Sequence, residues 1–187
     1  MLRRTAIAFL NGMASALLVV SLGRIVGFVN SGGAIWSIIA LTAVITLVIG
    51  LGIAERANSV NIFPTSRRLA SVQLLAGLSV AFVLAALYIF PMLRTIMVGE
   101  WIEVVCSLVA LMFFPMLLIS TGTWLSLYED GVSLFSSSIA VMGVVVGVFV
   151  VWSPETSLTP AWGIFSSFVL LNFAGLVALS AQSDAGS

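Results

Sequence analysis

The sequence predicts an all-α, polytopic membrane bundle: six transmembrane helices in one domain spanning residues 1–187, with both termini inside (N-in/C-in). Three observations predict it. The seven basic and seven acidic side chains leave six charge-free intervals, at 5–23, 25–54, 69–93, 104–128, 131–154 and 156–183. The shortest would reach about 28 Å as helix, close to the ~30 Å hydrocarbon thickness of a bilayer. The chain is 7% charged and 61% hydrophobic, against about 25% charged for a soluble domain. Tryptophan, tyrosine and arginine gather at the interval ends, where headgroups favour them.

Taken in order, the first helix is expected from about Thr5 to Leu22, or on to Val29, and Asn30-Ser-Gly-Gly33 reads as a turn. Its basic start, Arg3-Arg4, followed by an apolar run resembles a signal peptide with a small-x-small site at Ala14-Ser-Ala16. Asn11 and Gly12 interrupt that run and Leu17 to Val20 prolong it, so an uncleaved helix is expected. The second helix covers about 34–54, opened by Trp36, and a polar connection runs from Glu55 to Arg68. The third covers about 69–90, closed by Tyr88 and Pro91, and the fourth about 101–124, with a tryptophan at each end. The fifth covers about 132–152; Pro154 and Pro160 bracket a turn before the sixth, about 161–181.

Orientation follows from arginine placement. With both ends inside, Arg3, Arg4, Arg56, Arg67 and Arg68 are cytoplasmic and only Arg24 and Arg94 lie outside, as the positive-inside bias requires. Arg24, between Gly23 and Ile25, reads as an outer-interface anchor or, alternatively, as an arginine lining a polar path. The expected location is a prokaryotic plasma membrane. The two three-helix halves share no motif.

Helix contacts are expected along small-residue stripes, because lipid is as apolar as leucine and close backbone approach drives association. A four-residue spacing keeps each stripe on one face. The stripes are Ala8-xxx-Gly12-xxx-Ala16 and Gly23-xxx-Gly27 on the first helix, and Thr42-xxx-Thr46-xxx-Gly50-xxx-Ala54 on the second. The third carries Gly77-xxx-Ala81-xxx-Ala85 with Gln73 one turn earlier, the fifth Gly143-xxx-Gly147, and the sixth Ala174-xxx-Ala178. They serve packing within the bundle or docking of a membrane-protein partner or second copy. Pro115, in the fourth helix, frees the Leu111 carbonyl and predicts a kink.

Composition excludes much chemistry. Histidine is absent, which removes the commonest metal ligand and general base. Cys106 is the single cysteine, so no internal disulfide or Cys-x-x-Cys site exists. Lysine is absent and no phosphate loop occurs. A net charge of zero leaves no face for nucleic acid, and no run of four to eight basic residues marks an anionic-lipid patch. No metal and no cofactor is implied.

Two groups of residues remain as candidate binding sites. Glu100 and Glu103 lie about 60° apart on a helix, so both face one way; Arg94 or Arg24 would partner them, and Ser107 extends the stripe. Such a pair can hold a cation or proton, serve as acid and base, or simply satisfy the helix dipole. Asn11, Gln73 and Asn172 are polar side chains within the hydrocarbon, suited to interhelical bonds or, if they converge, to a small-molecule site.

Six helices in under two hundred residues, with Ala8-xxx-Gly12-xxx-Ala16 following Arg3-Arg4, resemble the substrate-binding components of energy-coupling-factor vitamin transporters. In that family a small-residue motif on the first helix docks the coupling subunit; the resemblance carries no binding residue across. The expectation is a non-enzymatic transport or membrane-complex component in the lipid bilayer. The alternatives are a substrate-binding transporter component with an outward polar site, and an embedded enzyme using Glu100 and Glu103.

Overall fold

A computed structural model describes residues 2–27, 33–59, 65–89, 101–128, 134–152 and 159–183. The described residues form six helices: α1 (Leu2–Gly27), α2 (Gly33–Ser59), α3 (Thr65–Ile89), α4 (Trp101–Tyr128), α5 (Leu134–Trp152) and α6 (Pro160–Ser183). Five are long and apolar enough to cross a membrane; in α5 the described apolar stretch is the shorter Ser137–Val151.

Most helices outlast their apolar runs. Arg3, Arg4, Glu55, Arg56, Arg67 and Arg68 are all helical, so α2 and α3 both reach into the connection expected from Glu55 to Arg68. A helix satisfies its own backbone, and arginine and glutamate are good helix formers, so nothing ends the helix where the hydrocarbon ends. Pro115 likewise sits inside a continuous α4.

The exterior is the inverse of a soluble protein's. Leu41, Val44, Val48, Leu78, Phe82, Val145 and Phe149 are exposed, while Asn11, Thr46, Gln73 and Ser167 are fully buried. A contiguous apolar exterior of this extent demands an apolar solvent.

At the centre is α1, whose apolar window is 67% buried, against 28% for α2. Helices α1, α6, α3 and α4 pack in a ring, each against the next, with α4 closing on α1. The remaining two are peripheral: α5 lies along α1 and α2 lies along α4. Contacts fix the directions. Gly12 meets Ala140 and Arg24 meets Val151, so α1 and α5 are parallel. Thr46 meets Ser120 and Ala54 clusters with Leu125, so α2 and α4 are parallel. Gly163 meets Ser21 and Ser167 meets Ala14, so α6 opposes α1. Arg3, Arg4, Arg56, Arg67 and Arg68 therefore share one end of the bundle, and Arg24 lies at the other.

Exchanging α1, α2 and α3 for α4, α5 and α6 leaves this packing scheme unchanged. Each peripheral helix packs on the first helix of the opposite half, and α3 and α6 face one another. Because equivalent helices lie three steps apart in an alternating up-and-down order, the second half is inverted relative to the first. The sequence carries no motif that reveals this symmetry of packing.

Candidate functional site

Small residues decide where polar side chains can sit. On α1 the expected stripe is buried throughout, with Ala8, Gly12 and Ala16 all enclosed. Its partner is α5: a Cβ on Gly12 would overlap the Ala140 carbonyl and lie 3.1 Å from the Val144 nitrogen. One on Gly147 would lie 2.8 Å from both the Ala16 Cβ and the Met13 carbonyl oxygen. The face that the sequence offers for docking a partner is thus occupied by the protein's own fifth helix.

On α2 the stripe Thr42, Thr46, Gly50 and Ala54 is the buried face. Ser120 of α4 donates to the Thr46 carbonyl at 2.8 Å, and the Trp124 indole donates to the Leu47 carbonyl at 3.2 Å. Gly77 on α3 lies against Asn172, whereas Ala81 is half-buried and the buried face continues through Val80, Val83 and Leu87.

These close approaches frame a layer of amides within the ring. Asn11 of α1 and Gln73 of α3 are both 0% exposed. Both adjoin Gly122 of α4, where a Cβ would fall 2.5 Å from Gln73 Nε2 and 3.4 Å from Asn11 Nδ2. The two amides are therefore no farther apart than those two arms together. All four of their polar atoms lack a hydrogen-bond partner among the described residues. Rotating one amide by half a turn would set an oxygen against the other's N–H and still leave the remaining donors and acceptors unfilled. An unfilled polar group in a dry interior costs roughly 1–3 kcal/mol, so this layer is a place where a polar guest would be stabilised.

Asn172 sits one turn further along α3, where a Cβ on Gly77 would lie 2.5 Å from its Nδ2. That nitrogen donates to the Phe168 carbonyl of its own helix at 2.8 Å. Thus Asn11 converges with Gln73, and Asn172 lies next to them along the same face of α3. Each residue is visible in the sequence as a polar interruption; their convergence is not. The one local signal is Gly122, within Ser-Thr-Gly-Thr on α4, which makes room for both amides.

Of the outer group, Arg94 and Glu100 lie outside the described residues, and Glu103 is placed only as a backbone position in the first turn of α4. Ser107 is half-buried and Cys106 exposed. Arg24 is half-buried at the same end, and its Nη1 donates to the Val151 carbonyl at 3.2 Å. That carbonyl belongs to the last turn of α5, where helices leave acceptors unfilled and favour a cation. Among the described residues, no three cysteine or acidic side chains gather as metal ligands do.

Three cavities of about 380, 400 and 430 Å³ open between helices. The one of about 430 Å³ lies between α3 and α4 beside Pro115, lined by Leu75, Leu78, Phe82 and Phe114. None of the three is lined by Asn11, Gln73 or Asn172. No protein-family model matches the chain, and no curated protein or solved structure is significantly similar to it.

Proposed function

We propose that this chain is a non-enzymatic, multi-pass protein of a prokaryotic plasma membrane. It crosses six times, with the five-arginine end and both termini in the cytoplasm, and works as a transport component for a small, uncharged polar solute. One observation carries the transport reading: two inverted three-helix halves meet around buried amides that have no hydrogen-bond partner among the described residues. Inverted halves give a membrane protein two equivalent ways of opening, one to each side, and substrate sites in such folds lie near mid-membrane between the halves. Amides offer donors and acceptors without charge, which suits a neutral guest.

The α5 helix counts as the sixth crossing because it runs parallel to α1 along its small-residue face. A scaffolding role would call for a glycine face turned outward. Among the glycines whose surroundings the structure describes, Gly52 alone meets no neighbouring atom within 4 Å, so the transport reading is preferred.

The test uses the solitary cysteine. In a Cys106→Ser background, Asn11→Cys in sealed vesicles is exposed to a membrane-impermeant maleimide from either side. Alternating access predicts slow labelling from both sides. Labelling from neither side, with full labelling only after denaturation, would contradict it.

A further inference from the structure

The cavity of about 400 Å³ lies at the five-arginine end, between α2, α3 and α4, and combines two unlike walls. Ile53, Val72 and Leu125 make one wall aliphatic, and Arg67, Arg68 and Ser71 make the other cationic and hydrogen-bonding. We propose that it holds a phospholipid with an anionic headgroup, the phosphate resting on the two guanidinium groups and one acyl chain on the aliphatic wall.

Arg68 is the key residue. Its Nη1 donates to the Ala57 carbonyl, one of the last acceptors of α2, which fixes the guanidinium plane between α2 and α3. Its Nη2 is buried without a partner among the described residues. A guanidinium presents five donors in a rigid fork matched to phosphate. Arg67, next in the chain and exposed, adds a second charge, and no carboxylate lines the cavity. The helix begins at Thr65, so its first N–H groups and positive dipole end lie on the same side. The charge alone would admit any phosphate. The size of the cavity and its aliphatic wall, continuous with the exposed Ile53 of the outer face, select a lipid. Basic pockets between spanning helices bind headgroups for these reasons. In the sequence Arg67-Arg68 is only a basic pair; the site forms when the start of α3 folds against α2 and α4, which supply Ile53 and Leu125. This site stands whether or not the amides carry a solute.

The experiment is native mass spectrometry of the detergent-purified protein with equal dioleoylphosphatidylglycerol and dioleoylphosphatidylcholine. The wild type is expected to retain one phosphatidylglycerol under activation that strips phosphatidylcholine. Arg67→Gln, which leaves the Arg68–Ala57 bond intact, should lower that retention about fivefold, the effect of about 1 kcal/mol per interfacial arginine. Arg67→Gln with Arg68→Gln should abolish the preference. Arg56→Gln, exposed at the same end but outside the cavity, should match the wild type. Equal retention of both lipids by the wild type would overturn the proposal, as would an undiminished preference in the double variant. Displacement of the lipid by millimolar inorganic phosphate would overturn it in favour of a soluble phosphate.

Discussion

Replacing Gly143 by alanine should loosen the whole of α5. A Cβ there would overlap the Phe9 carbonyl oxygen and come within 3.0 Å of its carbon and 3.1 Å of the Met13 nitrogen. Carbon contacts are comfortable only at about 3.5–4.0 Å. The obstacles are backbone atoms of α1, which cannot swing aside as a side-chain tip can. The α5 helix must therefore retreat by roughly 0.5–1 Å, a gap that forfeits a quarter to a half of the dispersion attraction along the seam. Overpacking of this kind costs about 1–3 kcal/mol. Alanine returns up to about 1 kcal/mol of helix propensity, so a net loss of about 1–2 kcal/mol is expected. Gly52→Ala is the control of opposite sign: with nothing within 4 Å, only the propensity gain remains, and the variant should be unchanged or up to about 1 kcal/mol more stable. Adding Gly12→Ala to Gly143→Ala should cost less than the separate losses combined, because one retreat relieves both overlaps. Sodium dodecyl sulfate titration followed by tryptophan fluorescence measures each. Gly143→Ala as stable as Gly52→Ala would refute the reasoning.

Three further outcomes follow from the same contacts. The double variant Asn11→Leu, Gln73→Met removes four unfilled buried polar atoms and should be more stable than the wild type by about 1–3 kcal/mol in the same titration, while losing solute uptake in reconstituted vesicles; a less stable double variant would mean that the amides are already satisfied. Ser120→Ala deletes the bond to the Thr46 carbonyl and should cost about 0.6 kcal/mol, the average for interhelical bonds in lipid, read as a small shift of the titration midpoint. Arg24→Gln removes the cation from the end of α5 and should cost about 0.3–1 kcal/mol, with faster amide hydrogen exchange confined to the last turn near Val151.

What the sequence discloses is faces rather than partners. A small residue at every fourth position marks a contact stripe, and on α2 the stripe Thr42, Thr46, Gly50, Ala54 is the enclosed face. On α1 the stripe is equally visible, but its partner α5 is set by how six helices arrange, which no local spacing encodes. The inverted halves are invisible for a related reason. Close approach requires only a small side chain at the crossing, so Thr46 can serve in one half and glycine in the other. Hydropathy draws the helices short at Arg3-Arg4 and from Glu55 to Arg68, because it senses the end of the hydrocarbon and not the end of the hydrogen-bond ladder. Asn11 and Gln73 stand out singly as polar interruptions, and their meeting depends on the tertiary ring. The Arg68–Ala57 bond is hidden for the same reason, being a contact between two helix ends.

The count of crossings turns on α5, the shortest helix, and one measurement decides it. Cysteines at Ser133 and Ser157, on either side of α5, are introduced separately into the Cys106→Ser protein and probed in intact cells with an impermeant maleimide. Six crossings predict labelling of Ser157→Cys from outside and protection of Ser133→Cys until the membrane is opened. Identical accessibility of the two positions would mean that α5 does not span, and the inverted pair of halves would fall with it.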